Sequence, residues 1–130
     1  MIYGIGIDII DVARLKESIE KNPSFAAKIF SPSEMAYCDK AAGNTRYERY
    51  AARFAAKEAF LKACGIGIGG GYTLTEIMVT HGENNRPGIT LVGASNKIFE
   101  RDINGTIHLS ISHIRDLSQA MVTIEKSSTR

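Results

Sequence analysis

Along the first ten residues, Ile5, Ile7 and Ile9 alternate with Gly4, Gly6 and Asp8. A period of two predicts a strand over residues 2–10 with one apolar face. The period then lengthens. Val12, Leu15 and Ile19 follow at helical spacing, Arg14, Glu17 and Lys21 lie opposite, and Asp11 stands at the N-cap. Asn22-Pro23 ends that helix, and a short apolar segment runs from Phe25 to Phe30. Ser31-Pro32-Ser33-Glu34 has the capping-box pattern with proline at the first helical position, so another helix starts there. Ala42-Gly43-Asn44 breaks it. Residues 45–64 contain no Gly or Pro and are rich in Ala, Arg, Lys and Glu, which predicts a long helix with Gly65 at its C′ position.

After a glycine-rich loop, 65–71, the pattern turns to strands over residues 73–80, 89–92, 106–113 and 118–125. A hairpin connection is expected at 82–88, a short helix at 95–103 and a polar, frayed tail at 126–130. Helices early and strands late predict an α+β fold, an antiparallel sheet packed against the long helix.

The chain has 130 residues, 44% hydrophobic and 23% charged, enough for one ordinary domain spanning 1–130 without a disulfide or structural metal. Its two cysteines, Cys38 and Cys64, have no CxxC spacing and read as buried or free thiols in a reducing, cytoplasmic setting. The opening segment lacks a cationic n-region and contains Asp8, so it is expected to belong to the fold rather than to a signal peptide. No run approaches the ~18 apolar residues of a membrane span. A formal net charge of +2 gives no argument for nucleic acid.

On the long helix, Tyr47, Ala51, Phe54, Ala55 and Leu61 form an apolar stripe with Glu58 in its middle. A carboxylate there needs a cation, hydrogen-bond donors or a metal. Lys62, four residues on, is one partner, and a plain ion pair would satisfy it. Beside that stripe runs another, Arg46, Arg49, Arg53 and Lys57. By itself it reads as a solvated basic face, and a bound anion would offset its like-charge repulsion. Asp8 shares a strand face with Gly4 and Gly6, where missing side chains admit a close neighbour.

His108, Ser110 and Ser112 share one face of the segment HLSISH, a row suited to a phosphate or a water if it is not simply a solvent face. Neither a dinucleotide fingerprint, nor a Walker A loop, nor a GxSxG elbow is present, and no His/Cys pair has zinc spacing. Two carboxylates with several cations suit Mg²⁺ and a phosphate or pyrophosphate ester. A transferase, a pyrophosphate-ester hydrolase and a non-enzymatic nucleotide-binding module all remain open on these residues.

Gly4-Ile5-Gly6-Ile7-Asp8, the helix segment Arg53-Phe54-Ala55-Ala56-Lys57-Glu58-Ala59-Phe60-Leu61-Lys62-Ala63, and His108-Leu109-Ser110-Ile111-Ser112-His113 together resemble the holo-acyl-carrier-protein synthases. These are small bacterial 4′-phosphopantetheinyl transferases, and the resemblance covers essentially the whole chain. It implies transfer of phosphopantetheine from coenzyme A to a serine of apo acyl carrier protein, with release of adenosine 3′,5′-bisphosphate. It also implies a homotrimer with active sites at subunit interfaces. Asp8 and Glu58 would hold Mg²⁺ against the pyrophosphate, and Lys62 would add charge there. Glu58 would serve as base, directly or through a water. Arg53 and His108 would anchor coenzyme A phosphates, and Gly65 would line the nucleotide. Arg14, Phe25 and Lys28 would form the docking patch for the acidic carrier. One departure is the turn Asn84-Asn85-Arg86, where many relatives carry a glycine.

Overall fold

A computed structural model describes residues 1–67 and 70–127. Ile68 and Gly69 of the glycine-rich segment, and residues 128–130 of the polar tail, lie outside the described residues. The order of elements is β1 (Ile2–Asp11), α1 (Val12–Lys21), α2 (Pro23–Ile29), α3 (Pro32–Asp39), α4 (Gly43–Cys64), β2 (Ile77–His81), β3 (Pro87–Leu91), α5 (Gly93–Asp102), β4 (Thr106–His113) and β5 (Leu117–Glu125). β1, β5 and β4 form an antiparallel sheet in that order, and β2 and β3 form a separate antiparallel hairpin. The α+β expectation therefore holds, with α4 laid across one face of the larger sheet.

Local chemistry explains most boundaries. The Asp11 carboxylate accepts from Arg14 N at 3.1 Å and starts α1. Asn22 closes α1, and its side chain caps α2 by accepting from Ser24 N. The segment around Phe25 is thus a helix in its own right. Ser31 and Glu34 complete the reciprocal capping box of α3. Residues 74–76 form a 3-10 turn, so β2 begins only at Ile77, later than the alternation predicts. β3 starts earlier than expected, at Pro87, the first strand position, where a missing N–H costs no ladder bond. Asn84 and Asn85 take left-handed φ values of 56° and 58° in the hairpin turn, a conformation Asn tolerates.

The faces of β1 are reversed from the usual pattern. Its isoleucines point outward, with Ile5 58%, Ile7 51% and Ile9 54% exposed, while Gly4, Gly6 and Asp8 face α4. A Cβ on Gly4 would collide with the carbonyl oxygen of Ala63, and one on Gly6 with that of Ala59. Alanines at 55, 56, 59 and 63 are all buried and let the helix settle against bare strand backbone. The hydrophobic core joins this helix face to Ala120, Val122 and Ile124 of β5, with Phe99 of α5 alongside. A second cluster, around Leu15, Phe30, Cys38 and Tyr50, packs α1–α3 on the N-terminal half of α4.

The basic stripe of α4 is a correction too. Arg53 is only 4% exposed and Lys57 is fully buried, so the second half of the stripe is no solvated face, while Arg46 and Arg49 are half-buried. Arg53 and Lys57 are turned inward, and each member of the stripe has a partner inside the subunit. Arg46 Nε donates to Asp39 Oδ1 at 2.8 Å, Arg49 to the Tyr37 carbonyl at 3.1 Å, and Arg53 to the Arg49 carbonyl at 3.4 Å. Lys57 Nζ donates to Glu34 Oε1 at 2.8 Å.

Candidate active site

The inward positions of β1 step down α4. Gly4 abuts Ala63 and Gly6 abuts Ala59, so Asp8, one pleat further, comes level with the preceding helical turn, which carries Glu58. Lys62 Nζ donates to Asp8 Oδ1 at 3.0 Å and to the Ile7 carbonyl at 2.9 Å. Lys62 therefore pairs across to the strand, not with Glu58 four residues before it. The i,i+4 spacing was open to either arrangement, and strand proximity settles it.

Asp8 Oδ2 and Glu58 Oε1 are buried and have no hydrogen-bond partner among the described residues. Buried polar atoms are ordinarily satisfied, so two orphaned carboxylate oxygens on groups close enough for the charge of one to act on the other mark a place built for something else. Burial, foremost, and the charge of Asp8 push the Glu58 carboxyl up from its usual range, with Lys62 pulling the other way. A carboxylate so placed takes a proton more readily than a free one.

These two oxygens fit a hard divalent cation. Among the described residues no group of three or more His, Cys, Asp or Glu is assembled. The donor set is thus two carboxylates, which suits Mg²⁺ completed by water and substrate phosphate rather than an all-protein cage.

Gly65 ends α4 at φ +82°, with Gly65 N–H on the Lys62 carbonyl at 2.9 Å and Ile66 N–H on that of Leu61 at 3.1 Å. This Schellman closure places open backbone one turn beyond Lys62, since nothing lies within 4 Å of where a Cβ would stand. A cavity of about 300 Å³ lies between the end of β1, α1 and α4, lined by Ile9, Asp11, Arg14, Leu15, Phe25 and Phe54 among others. Phe54 is one turn before Glu58 on α4. Two of the three docking-patch residues, Arg14 and Phe25, thus share this cavity, while Lys28 sits exposed on α2 and does not line it.

Arg53 and His108 are not part of this constellation within one subunit. Arg53 lines a separate cavity of about 370 Å³ with Tyr37, Arg49, His81 and His113. Its guanidinium lies 4.2 Å from the Tyr37 ring centroid, and its Nε is buried without a partner among the described residues. His81 stacks on Tyr37 at 5.0 Å. Burial first, then Arg53 and Arg49, lower its proton affinity below the usual histidine value. His108 projects from the sheet face away from α4, pairs with Glu125 Oε1 at 3.0 Å, and borders a cavity of about 420 Å³ with Arg86.

Sequence reasoning missed Glu34, Tyr37 and His81. Glu34 carried only a capping signal, and Tyr37 and His81 carried none. Burial of Lys57 would have demanded a carboxylate partner, and the capping-box Glu34 was the available signal.

Comparison with known proteins closes the question of kinship. The family model for the 4′-phosphopantetheinyl transferase superfamily matches residues 4–120. The chain belongs to this superfamily. It is accordingly a phosphopantetheinyl transferase, an enzyme rather than a binding module. A holo-(acyl-carrier-protein) synthase of Syntrophus aciditrophicus (strain SB) is 44% identical over 126 residues, covering 96% of this chain and 97% of that protein. Among solved structures, the synthase from Neisseria meningitidis superposes with a TM-score of 0.86 at 36% identity, covering 97% of this chain and all of that one. The synthase from Bacillus anthracis str. Ames, in complex with CoA (3′,5′-ADP), gives 0.81 at 34% identity, covering 98% and 99%. Among the described residues no helix of this transferase is long and apolar enough to cross a membrane.

Proposed function

We propose that residues 1–130 form one transferase domain that moves 4′-phosphopantetheine from coenzyme A to a serine of apo acyl carrier protein. The observation that carries this is the pair of orphaned oxygens of Asp8 and Glu58 beside the Lys62 ammonium. In the reaction a bond forms between the serine Oγ and the phosphorus bearing pantetheine. The bond from that phosphorus to the bridging oxygen breaks, and adenosine 3′,5′-bisphosphate leaves. The serine proton goes to Glu58, directly or through a water. Lys62 faces the charge that grows on the leaving phosphate and stabilises it more in the transition state than in the ground state. Asp8 and Glu58 would hold Mg²⁺, which supplies charge neutralisation on the diphosphate.

Docking of the acidic carrier is assigned to Arg14, Phe25 and Lys28. Arg14 and Phe25 share one cavity, whose wall includes Ile9 next to Asp8 in sequence and Phe54 one turn before Glu58, which supports a steering charge and an anchoring ring near the reacting centre. Arg53 and His108 hold the phosphates at the nucleotide end, and Gly65 lines the nucleotide beside Lys62. Since Arg53 and His108 face away from Asp8 and Glu58 in one subunit, the complete site joins two copies of the chain. The exposed Ile5, Ile7 and Ile9, with Met121 on β5 across the same face, are a large apolar patch of the kind that a partner covers. Following the family resemblance, the assembly is a homotrimer with its sites at subunit interfaces. The free buried thiols Cys38 and Cys64 fit a cytoplasmic location.

The decisive experiment is the intact mass of an apo acyl carrier protein after incubation with enzyme, coenzyme A and Mg²⁺, with and without chelator. A gain of one phosphopantetheine that disappears with chelator is expected. Cleavage of coenzyme A without carrier would make the protein a hydrolase, and no product at all would refute the assignment.

A further inference from the structure

Glu34 and Lys57 form a closed knot of charge under the Arg53 cavity. Lys57 Nζ spends its three protons on Glu34 Oε1 at 2.8 Å, the Leu74 carbonyl at 2.8 Å and the Ile77 carbonyl at 2.6 Å. Glu34 Oε1 also accepts from Ser31 N at 2.9 Å, and Oε2 from Val79 N at 2.9 Å. Both side chains are at most 1% exposed. The knot ties together α3, α4 and β2. Each of those elements carries, one turn or one pleat further along, a residue that lines the cavity: Tyr37 three after Glu34, Arg53 four before Lys57, and His81 two after Val79. Those wall residues touch one another, with Arg53 on the Tyr37 ring at 4.2 Å and Tyr37 against His81 at 5.0 Å.

We propose that Glu34 and Lys57 are positioning residues for substrate: their ion pair sets the spacing of α3, α4 and β2 and so holds Tyr37, Arg53 and His81 at the width that fits a phosphate of coenzyme A. An apolar pair of similar volume would give at least as much stability. What the charges add is a single register, because the four directed bonds that cross between elements are satisfied only in one arrangement, whereas apolar surfaces slide. The hairpin β2–β3 in particular is held to the helices through Leu74, Ile77 and Val79, so its His81 cannot drift from Arg53 without breaking them. This inference rests on the assignment of Arg53 to a coenzyme A phosphate made above.

The test uses the full-length enzyme and coenzyme A as probe, followed by titration calorimetry and by steady-state transfer. The paired variant Glu34→Gln with Lys57→Met removes both charges at nearly constant volume. Its dissociation constant and KM for coenzyme A are expected to rise about tenfold, with kcat at saturating coenzyme A held within about twofold. Arg53→Ala is run alongside. Unchanged binding in Arg53→Ala overturns the phosphate assignment and this proposal with it. Weakened binding in Arg53→Ala together with wild-type binding in the paired variant overturns the positioning role alone. Should the paired variant fail to fold, amide exchange on the wild-type enzyme decides: coenzyme A is expected to slow exchange of the Val79 amide, and an unaltered Val79 rate overturns the proposal.

Discussion

Gly6→Ala probes the contact that brings Asp8 to Glu58. A Cβ there would overlap the Ala59 carbonyl oxygen and stand 2.7 Å from Ala63 N. Ordinary contact begins near 3.4 Å, so β1 must retreat from α4 by at least about 0.7 Å, and helix and strand backbone offer no flexible side chain to absorb it. Overpacking of this kind costs about 1–3 kcal/mol. Unfolding entropy scales to about 0.27 kcal/mol/K for a chain of this length, so Tm should fall by about 4–11 °C. Asp8 lies two residues along the same strand face and moves with it. A displacement approaching 1 Å at a reacting centre lowers the rate by about ten- to a hundredfold. Turnover is measured as the mass gain of apo carrier protein at a temperature where thermal unfolding shows the variant folded. Gly82→Ala is the control, since its Cβ would meet only the Arg86 carbonyl, at 3.9 Å, and both readouts should match wild type. A folded Gly6→Ala enzyme with wild-type kcat would refute the argument that close packing of β1 on α4 sets the distance between the two carboxylates.

Glu58→Gln and Asp8→Asn should each abolish transfer. Glu58→Gln should also leave Tm unchanged or higher, because it relieves the repulsion from Asp8; near-normal turnover in either would remove the metal and base assignment. Arg14→Glu should raise KM for carrier protein and leave KM for coenzyme A alone, and equal carrier KM values would take Arg14 out of the docking patch. His81 has a folded-state proton affinity below the ordinary value of 6.5. The unfolded chain therefore takes up the proton first, and this share of stability is present above about pH 6.5 and lost as pH falls. A phosphate bound beside Arg53 offsets their repulsion, so coenzyme A affinity should rise as pH drops through that range, and His81→Gln should flatten the calorimetric profile. Ile7→Glu should convert the assembly to monomers by sedimentation; an intact oligomer would mean that another surface joins the copies.

How much could be read without coordinates follows the range of the forces involved. Helix starts at Asp11 and Ser31, the end of α4 at Gly65 and the strand at 106–113 depend on residues within a few positions of each other, and the sequence by itself determined them. The motif residues Asp8, Glu58 and Lys62 were equally legible as candidates. Which way each face turned was decided by the tertiary structure. Alternating isoleucines on β1 specify an apolar side but not whether core or partner covers it, and the bare glycine side won because only it admits α4 at backbone distance. Four basic residues at helical spacing specify a stripe. Burial of Lys57 depended on a carboxylate 23 positions before it and on a strand carbonyl 20 positions after it. Partners so distant in the chain leave no local mark, and the choice of Asp8 over Glu58 for Lys62 is of the same kind: an ion pair goes to whichever charge folding brings within about 3 Å.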